Sequence, residues 1–214
     1  MRKTSFLLRG ARGRGWYYKQ ITNPESFVKY EVPQAFDWDT TFTEGIKRPI
    51  VRFDIVAEST DLGHLKFELA LDVVPNTVNN FISLLKSSSN KYGYEYKNTI
   101  FHRIIKGTAI LGGDVEYLGG KGNHSSLNSR YIKDENFIIP HSERGLLSMH
   151  TVGRDTSGSQ FNISLKALPH LNGRGVVFGR LIEGQEVLEK IEGIFTFRGK
   201  PSKELKITDA QIQE

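Results

Sequence analysis

Apolar residues in this chain fall into short alternating runs separated by Gly, Pro, Asn and Ser, the pattern of many strands joined by turns. Val51-Arg52-Phe53-Asp54-Ile55 alternates as a strand, and residues 63–69 alternate again after the polar turn at 58–62. The two read as an opening hairpin. Pro75-Asn76-Thr77 starts a helix on which Val78, Phe81, Leu84 and Leu85 recur at helical spacing, and the polar run 87–90 ends it. Further short apolar segments follow at 100–105, 109–111, 137–139, 145–149, 160–164 and 176–181. A second helix is predicted over 185–194, with Val187, Leu188 and Ile191 on one face, and residues 205–207 give the last strand. Two helices among short strands predict a mainly β sandwich or closed barrel.

The first 48 residues do not share this pattern and are read as an arm outside the domain at 49–214. Residues 1–20 carry six basic side chains, Arg2, Lys3, Arg9, Arg12, Arg14 and Lys19, and no acid. Taking those six from the 29 basic residues leaves 23 against 24 acids, so the remainder of the chain is close to neutral. A basic, arginine-rich, acid-free opening is the composition of a mitochondrial targeting segment. Phe6 to Leu8 is interrupted at once by Arg9, so the apolar core of a secretory signal is absent. The second reading of the same charges is a basic arm that binds RNA or an acidic protein surface. Between 21 and 45, aromatic residues are scattered without a period of two or 3.6. Arg9, Arg12, Arg14, Trp16, Tyr17, Phe27 and Trp38 are the expected partner-binding residues of this arm. The alternative is that its rings pack back on the same chain.

The 214 residues contain no cysteine, which excludes disulfides, thiolate metal sites and cysteine nucleophiles. No run approaches the roughly 18 apolar residues of a membrane-spanning helix. The six histidines show neither HxxxH nor HExxH spacing, so neither a metal site nor any other cofactor is expected. The sequence Gly119-Gly120-Lys121-Gly122 lacks the GxxxxGK[ST] spacing of a phosphate loop and is read as a mobile surface loop.

Six motifs stand in a fixed order: FHRII at 101–105, GGD at 112–114, DENF at 134–137, LSM at 147–149, GSQF at 158–161 and VVFG at 176–179. In order and spacing they resemble the cyclophilins, the cyclosporin-binding peptidyl-prolyl isomerases. The resemblance covers the domain at 49–214 and implies a closed eight-stranded antiparallel barrel capped by two helices, preceded here by the extended N-terminal arm. It implies an arginine that favours loss of amide resonance, which aligns with Arg103, and a glutamine that bonds the substrate backbone, which aligns with Gln160. Leu171 matches an apolar wall.

The remaining pocket positions depart from the family pattern. Where the family reads PGFMxQGGD, Thr108 and Ala109 replace the phenylalanine and methionine, and Leu111 replaces a glutamine. Thr151 replaces an asparagine that grips the peptide, and Asn162 replaces an aromatic at the pocket bottom. His170 stands at a position associated with cyclosporin binding, and Gly175 replaces a pocket histidine. Loss of two aromatic walls removes roughly 1.5–3 kcal/mol of apolar burial for a proline, about ten- to a hundredfold in affinity.

The sequence therefore points to a cyclophilin-like accessory or scaffold subunit of a large mitochondrial assembly, a respiratory-chain complex or the mitochondrial ribosome, with isomerase activity weak or lost and cyclosporin binding weak or absent. A divergent working isomerase and an RNA-attached ribosomal accessory protein are the alternatives. If Arg103 and Gln160 are instead only retained barrel residues, Arg103 is expected to bond neighbouring carbonyls and Gln160 to bridge strands.

Overall fold

A computed structural model describes residues 36–41, 45–127 and 129–213. The arm residues Arg9, Arg12, Arg14, Trp16, Tyr17 and Phe27 lie outside the described residues. Strand β1 (Ile50–Ala57) buries every second residue, and Val51, Phe53, Ile55 and Ala57 face the core. It pairs antiparallel with β2 (Thr60–Leu69), setting Phe53 opposite Leu65 and Val51 opposite Phe67, so the anticipated hairpin is present.

Eight strands form one antiparallel sheet. After β2 come β3 (Arg103–Ile105), β4 (Ala109–Gly112), β5 (Leu146–Met149), β6 (Phe161–Ser164) and β7 (Val177–Glu183). The hairpin of β8 (Thr196–Phe197) and β9 (Lys200–Pro201) stands apart, and β10 (Leu205–Gln213) closes the chain. The sheet order is β10-β1-β2-β7-β5-β6-β4-β3. Register shifts in β1, β2 and β5 mark bulges, which raise local twist and curl the sheet. Its edges meet where Phe101 N–H donates to Leu205 O and Ile207 N–H to Thr99 O, both at 2.9 Å.

Helix α1 (Pro75–Ser83) begins with proline at its first turn, where a missing N–H costs nothing, and has no side-chain cap of its own. Glu135 of the DENF motif supplies one. Its carboxylate accepts the N–H groups of Asn76 and Thr77 at 3.0 and 2.9 Å, placing negative charge on the positive end of the helix. Leu84, expected on the helix, is its C-cap and is buried all the same. Helix α2 (Gln185–Gly193) starts from Gly184 at φ 101, where a side chain would collide with the backbone of His64 and Leu65.

Within the curled sheet lies an aromatic core. Phe81 sits 4.8 Å from both Tyr96 and Phe178, and Phe53 stacks on Phe161 at 5.8 Å. Tyr96 is fully buried and donates its hydroxyl to Ser159 O at 2.8 Å. Phe101, Phe161 and Phe178, the aromatic residues of three motifs, are all core residues. Those motifs are legible because they hold the barrel together.

Two expectations are corrected. Residues 137–139 form no strand; Asn136 turns the chain by accepting Ile138 N–H at 3.1 Å, while its amide donates to Val73 O at 2.8 Å. Trp38, expected to face a partner, is 6% exposed and held by its own chain. The guanidinium groups of Arg48 and Arg180 lie 5.5 and 5.4 Å from its ring, and Phe36 meets it edge-on at 5.3 Å. The segment at 36–41 thus packs on the body that the sequence pattern starts at 49.

Candidate functional site

The period-two rule separates two faces across β3, β4, β6 and β5. Ile104, Ile110, Ile163 and Leu147 pair in one row and are all fully buried against the core. The alternate row, Arg103–Leu111–Asn162–Ser148, turns to the outer face. Two residues along each strand on that same face stand Ala109 and Gln160, with His150 opposite Gln160 through an N–H to Gln160 O bond of 2.9 Å. Strand pairing therefore gathers Arg103, Ala109, Leu111, Gln160 and Asn162 on one surface. His150, which sequence reasoning passed over as a site residue, joins them. Counting by twos from Ser148 would have found it.

This surface has an apolar half and a polar half. Ala109 and Leu111 pack with Leu168, and Leu171 leans on that cluster. Leu171 reaches it from a short helical turn (Pro169–Leu171) that leaves His170 exposed. His141 fastens the turn: its N–H donates to Asn172 Oδ1 at 2.8 Å, and its carbonyl accepts Leu168 N–H at 2.8 Å. Burial pushes the His141 imidazole down to about 4, against a smaller upward pull from Asn172.

On the polar half, the half-buried His150 imidazole hydrogen-bonds the Asn162 side chain. Burial lowers the His150 pKa, the Asn162 bond opposes this, and the Arg103 charge adds to the lowering. His102 is also lowered, first by burial. Burial thus favours the neutral form of both imidazoles, and Arg103 brings a permanent cation to the site. Thr151 is turned away, its hydroxyl donating to Arg174 O at 3.0 Å. Gly175 is where two backbones touch, since a side chain there would come within 2.7 Å of Met149 O. Thr108 is half-buried in the turn from β3 to β4.

Arg103 and Gln160 differ from expectation. The Arg103 side chain is exposed and makes no hydrogen bond or ion pair among the described residues, and the residue across from it is the apolar Leu111. Gln160 is buried and its amide donates to Gly122 O, so it ties the barrel to the loop that follows GGD and bridges no strands. Its Oε1 is buried without a partner among the described residues.

That loop was expected to be mobile, and it is anchored. Asp114 is fully buried, and its carboxylate accepts N–H groups from Glu116, Tyr117, Gly120, Lys121 and Gly122 at 2.7–3.1 Å. Burial pushes its pKa up, and the hydrogen bonds from Tyr117, Gly122, Glu116 and Gly120 outweigh that, holding it below the usual carboxylate range. At the end of the loop Asn123 Oδ1 accepts Ser159 N–H at 2.9 Å and Gln160 N–H at 3.0 Å, which fixes the backbone of GSQF. Nothing in the sequence marked Asn123 for this role.

Among the described residues no three His, Asp or Glu side chains converge to hold a metal ion, and no helix is long and apolar enough to cross a membrane. Chemically the surface offers a cation, an apolar ledge and a hydrogen-bonded polar pair.

Comparison with known proteins agrees with this geometry. Residues 53–212 match the family model described as "Cyclophilin type peptidyl-prolyl cis-trans isomerase/CLD". The human protein "Probable inactive peptidyl-prolyl cis-trans isomerase-like 6" is 42% identical over 179 residues, covering 81% of this chain. The aligned stretch spans 57% of that relative's length.

Proposed function

Since the chain belongs to the cyclophilin-type peptidyl-prolyl isomerase family, we propose that it keeps the family's peptide-facing surface as a binding surface and isomerises proline weakly or not at all. The observation that carries this is the Arg103–Leu111–Asn162 row. Isomerisation requires rotation over a barrier of about 18–20 kcal/mol, lowered only if the ring is held while the cation meets the twisted amide. Here the cation is present. The ring's place is taken by Asn162, bonded to His150, and by an apolar ledge that already packs on itself through Ala109, Leu111 and Leu168. A half-buried amide does not grip a pyrrolidine ring, and displacing it would leave His150 without that partner.

The setting proposed for this surface is that of an accessory or scaffold subunit in a large mitochondrial assembly. The acid-free basic stretch at 1–20 supports import, and the lost pocket supports a role in binding rather than turnover. The basic residues from Arg2 to Lys19 could reach RNA instead, and deletion of 2–19 separates that case by its effect on RNA retention.

Isomerisation of an X-Pro peptide by the full chain tests the reading. The expected rate is at most slightly above that of buffer, and Arg103→Ala changes it little. Rapid isomerisation that Arg103→Ala abolishes would overturn the reading. Recovery of the chain from mitochondrial extracts solely as a free monomer would overturn the assembly role.

A further inference from the structure

The hairpin of β8 and β9 exposes two aromatic rings beside the candidate site. Phe195 and Phe197 are 68% and 69% exposed. Ser202 N–H bonds Phe195 O at 2.9 Å, extending the ladder to Phe195, so the two rings lie on one face by strand alternation. Ile104 N–H donates to Gly199 O at 2.8 Å, fastening the hairpin tip to β3. There Gly199 sits against the Arg103 side chain: a Cβ on it would stand 3.2 Å from Arg103 Nε.

At this tip Arg198 adopts φ 50 and Gly199 φ 85, both in the left-handed region that a tight two-residue hairpin turn demands. Asn or Gly suits the first position, and an arginine there is strained. Its guanidinium lies 5.5 Å from the Phe197 ring and, like that of Arg103, pairs with no carboxylate among the described residues. Between 195 and 204 the cations Arg198, Lys200 and Lys203 face a single acid, Glu204. Strain kept at an exposed position, two unpaired guanidinium groups from separate elements and two bare rings need a common explanation.

We propose that Arg103, Arg198, Phe195 and Phe197 form a docking surface for an acidic, extended segment of a partner protein. Carboxylates of the segment meet the two guanidinium forks, and its apolar side chains cover the rings. Arg198 lies over a ring face on which a nucleobase would stack, which favours a peptide over RNA. The inference rests on the reading of this family member as a peptide-binding module, and it replaces proline by carboxylate as the group recognised.

Fluorescence anisotropy on the full chain tests it with four labelled probes: a proline-free peptide of alternating Glu and Leu, its Gln counterpart, an acid-free X-Pro peptide and oligouridylate. The Glu peptide is expected to bind at least about fivefold more tightly than the Gln peptide. Arg198→Gly should weaken it about five- to tenfold while raising the melting temperature, because glycine relieves the strained turn. Phe197→Ser should weaken it without lowering the melting temperature. Equal affinity for the Glu and Gln peptides would overturn the proposal. So would Glu-peptide binding indifferent to Arg198→Gly, the result if the basic stretch at 2–19 held the peptide, or tighter binding of oligouridylate that the same variants weaken. Binding of the Glu peptide together with rapid isomerisation of the X-Pro peptide would reject the loss of turnover and leave this surface standing.

Discussion

Arg48 grips Asp72 through two parallel hydrogen bonds, Nε to Oδ1 and Nη2 to Oδ2, each 2.8 Å long. Both side chains are almost wholly buried, at 7% and 1% exposure. The same guanidinium donates to Trp38 O at 2.7 Å, so one ion pair joins the segment before β1 to the turn before α1.

Arg48→Ala would remove the bidentate partner of the buried Asp72 carboxylate and should cost about 3–5 kcal/mol. It should also release Trp38. In a Trp16→Phe background, Trp38 is the sole tryptophan, and its emission should shift to the red under native conditions while urea unfolding reports the lost stability.

Asp114→Ala removes the acceptor of five backbone N–H groups at once. A loss of about 3 kcal/mol is expected, since bonds to a charged acceptor exceed neutral ones. Hydrogen exchange should then accelerate at Glu116, Tyr117 and residues 120–122 well before the core opens. Unchanged protection there would contradict the anchoring described.

Asn162→Phe combined with Thr108→Phe restores aromatic walls at two half-buried positions and leaves the packed Ala109 and Leu111 in place. Affinity for an X-Pro peptide should rise about ten- to a hundredfold, the worth of roughly 1.5–3 kcal/mol of apolar burial. Titration calorimetry measures it. An unchanged affinity would mean that aromatic walls at these two positions do not govern proline binding.

His141 gives a pH signature. Its folded pKa of about 4 lies below the ordinary 6.5, so the unfolded chain binds the proton more readily between those values. This contribution is complete above about pH 6.5 and falls away as pH drops toward 4, by about 3 kcal/mol in all. His102 and His150 are lowered too and act in the same direction. Urea unfolding of His141→Asn should show a shallower slope across that window than the wild type.

The framework was readable because its signals are local. Alternation revealed β1 and β2, and Pro75 with Val78 and Phe81 revealed α1. The motif aromatics Phe101, Phe161 and Phe178 marked the core. The site was readable where strand register carries it, as for Arg103, Leu111 and Asn162. Partners distant along the chain were not. Glu135 caps a helix that starts 60 residues earlier, which no window around either segment displays. Trp38 drew a wrong reading because an aromatic residue among polar neighbours carries no mark of the two arginines that enclose it. The anchoring of 119–122 was hidden because a glycine-rich string looks the same whether solvent or one buried carboxylate satisfies its N–H groups.

The separation of Ile104, Ile110, Ile163 and Leu147 from Arg103, Leu111 and Asn162 amounts to two independent texts written on the same four strands. The inward text decides whether the chain folds, and the outward one decides what it holds. A substitution at the exposed Arg103 or the half-buried Asn162 leaves the packing of the inward row in place, so what the surface holds can change there one residue at a time while the core stays the same.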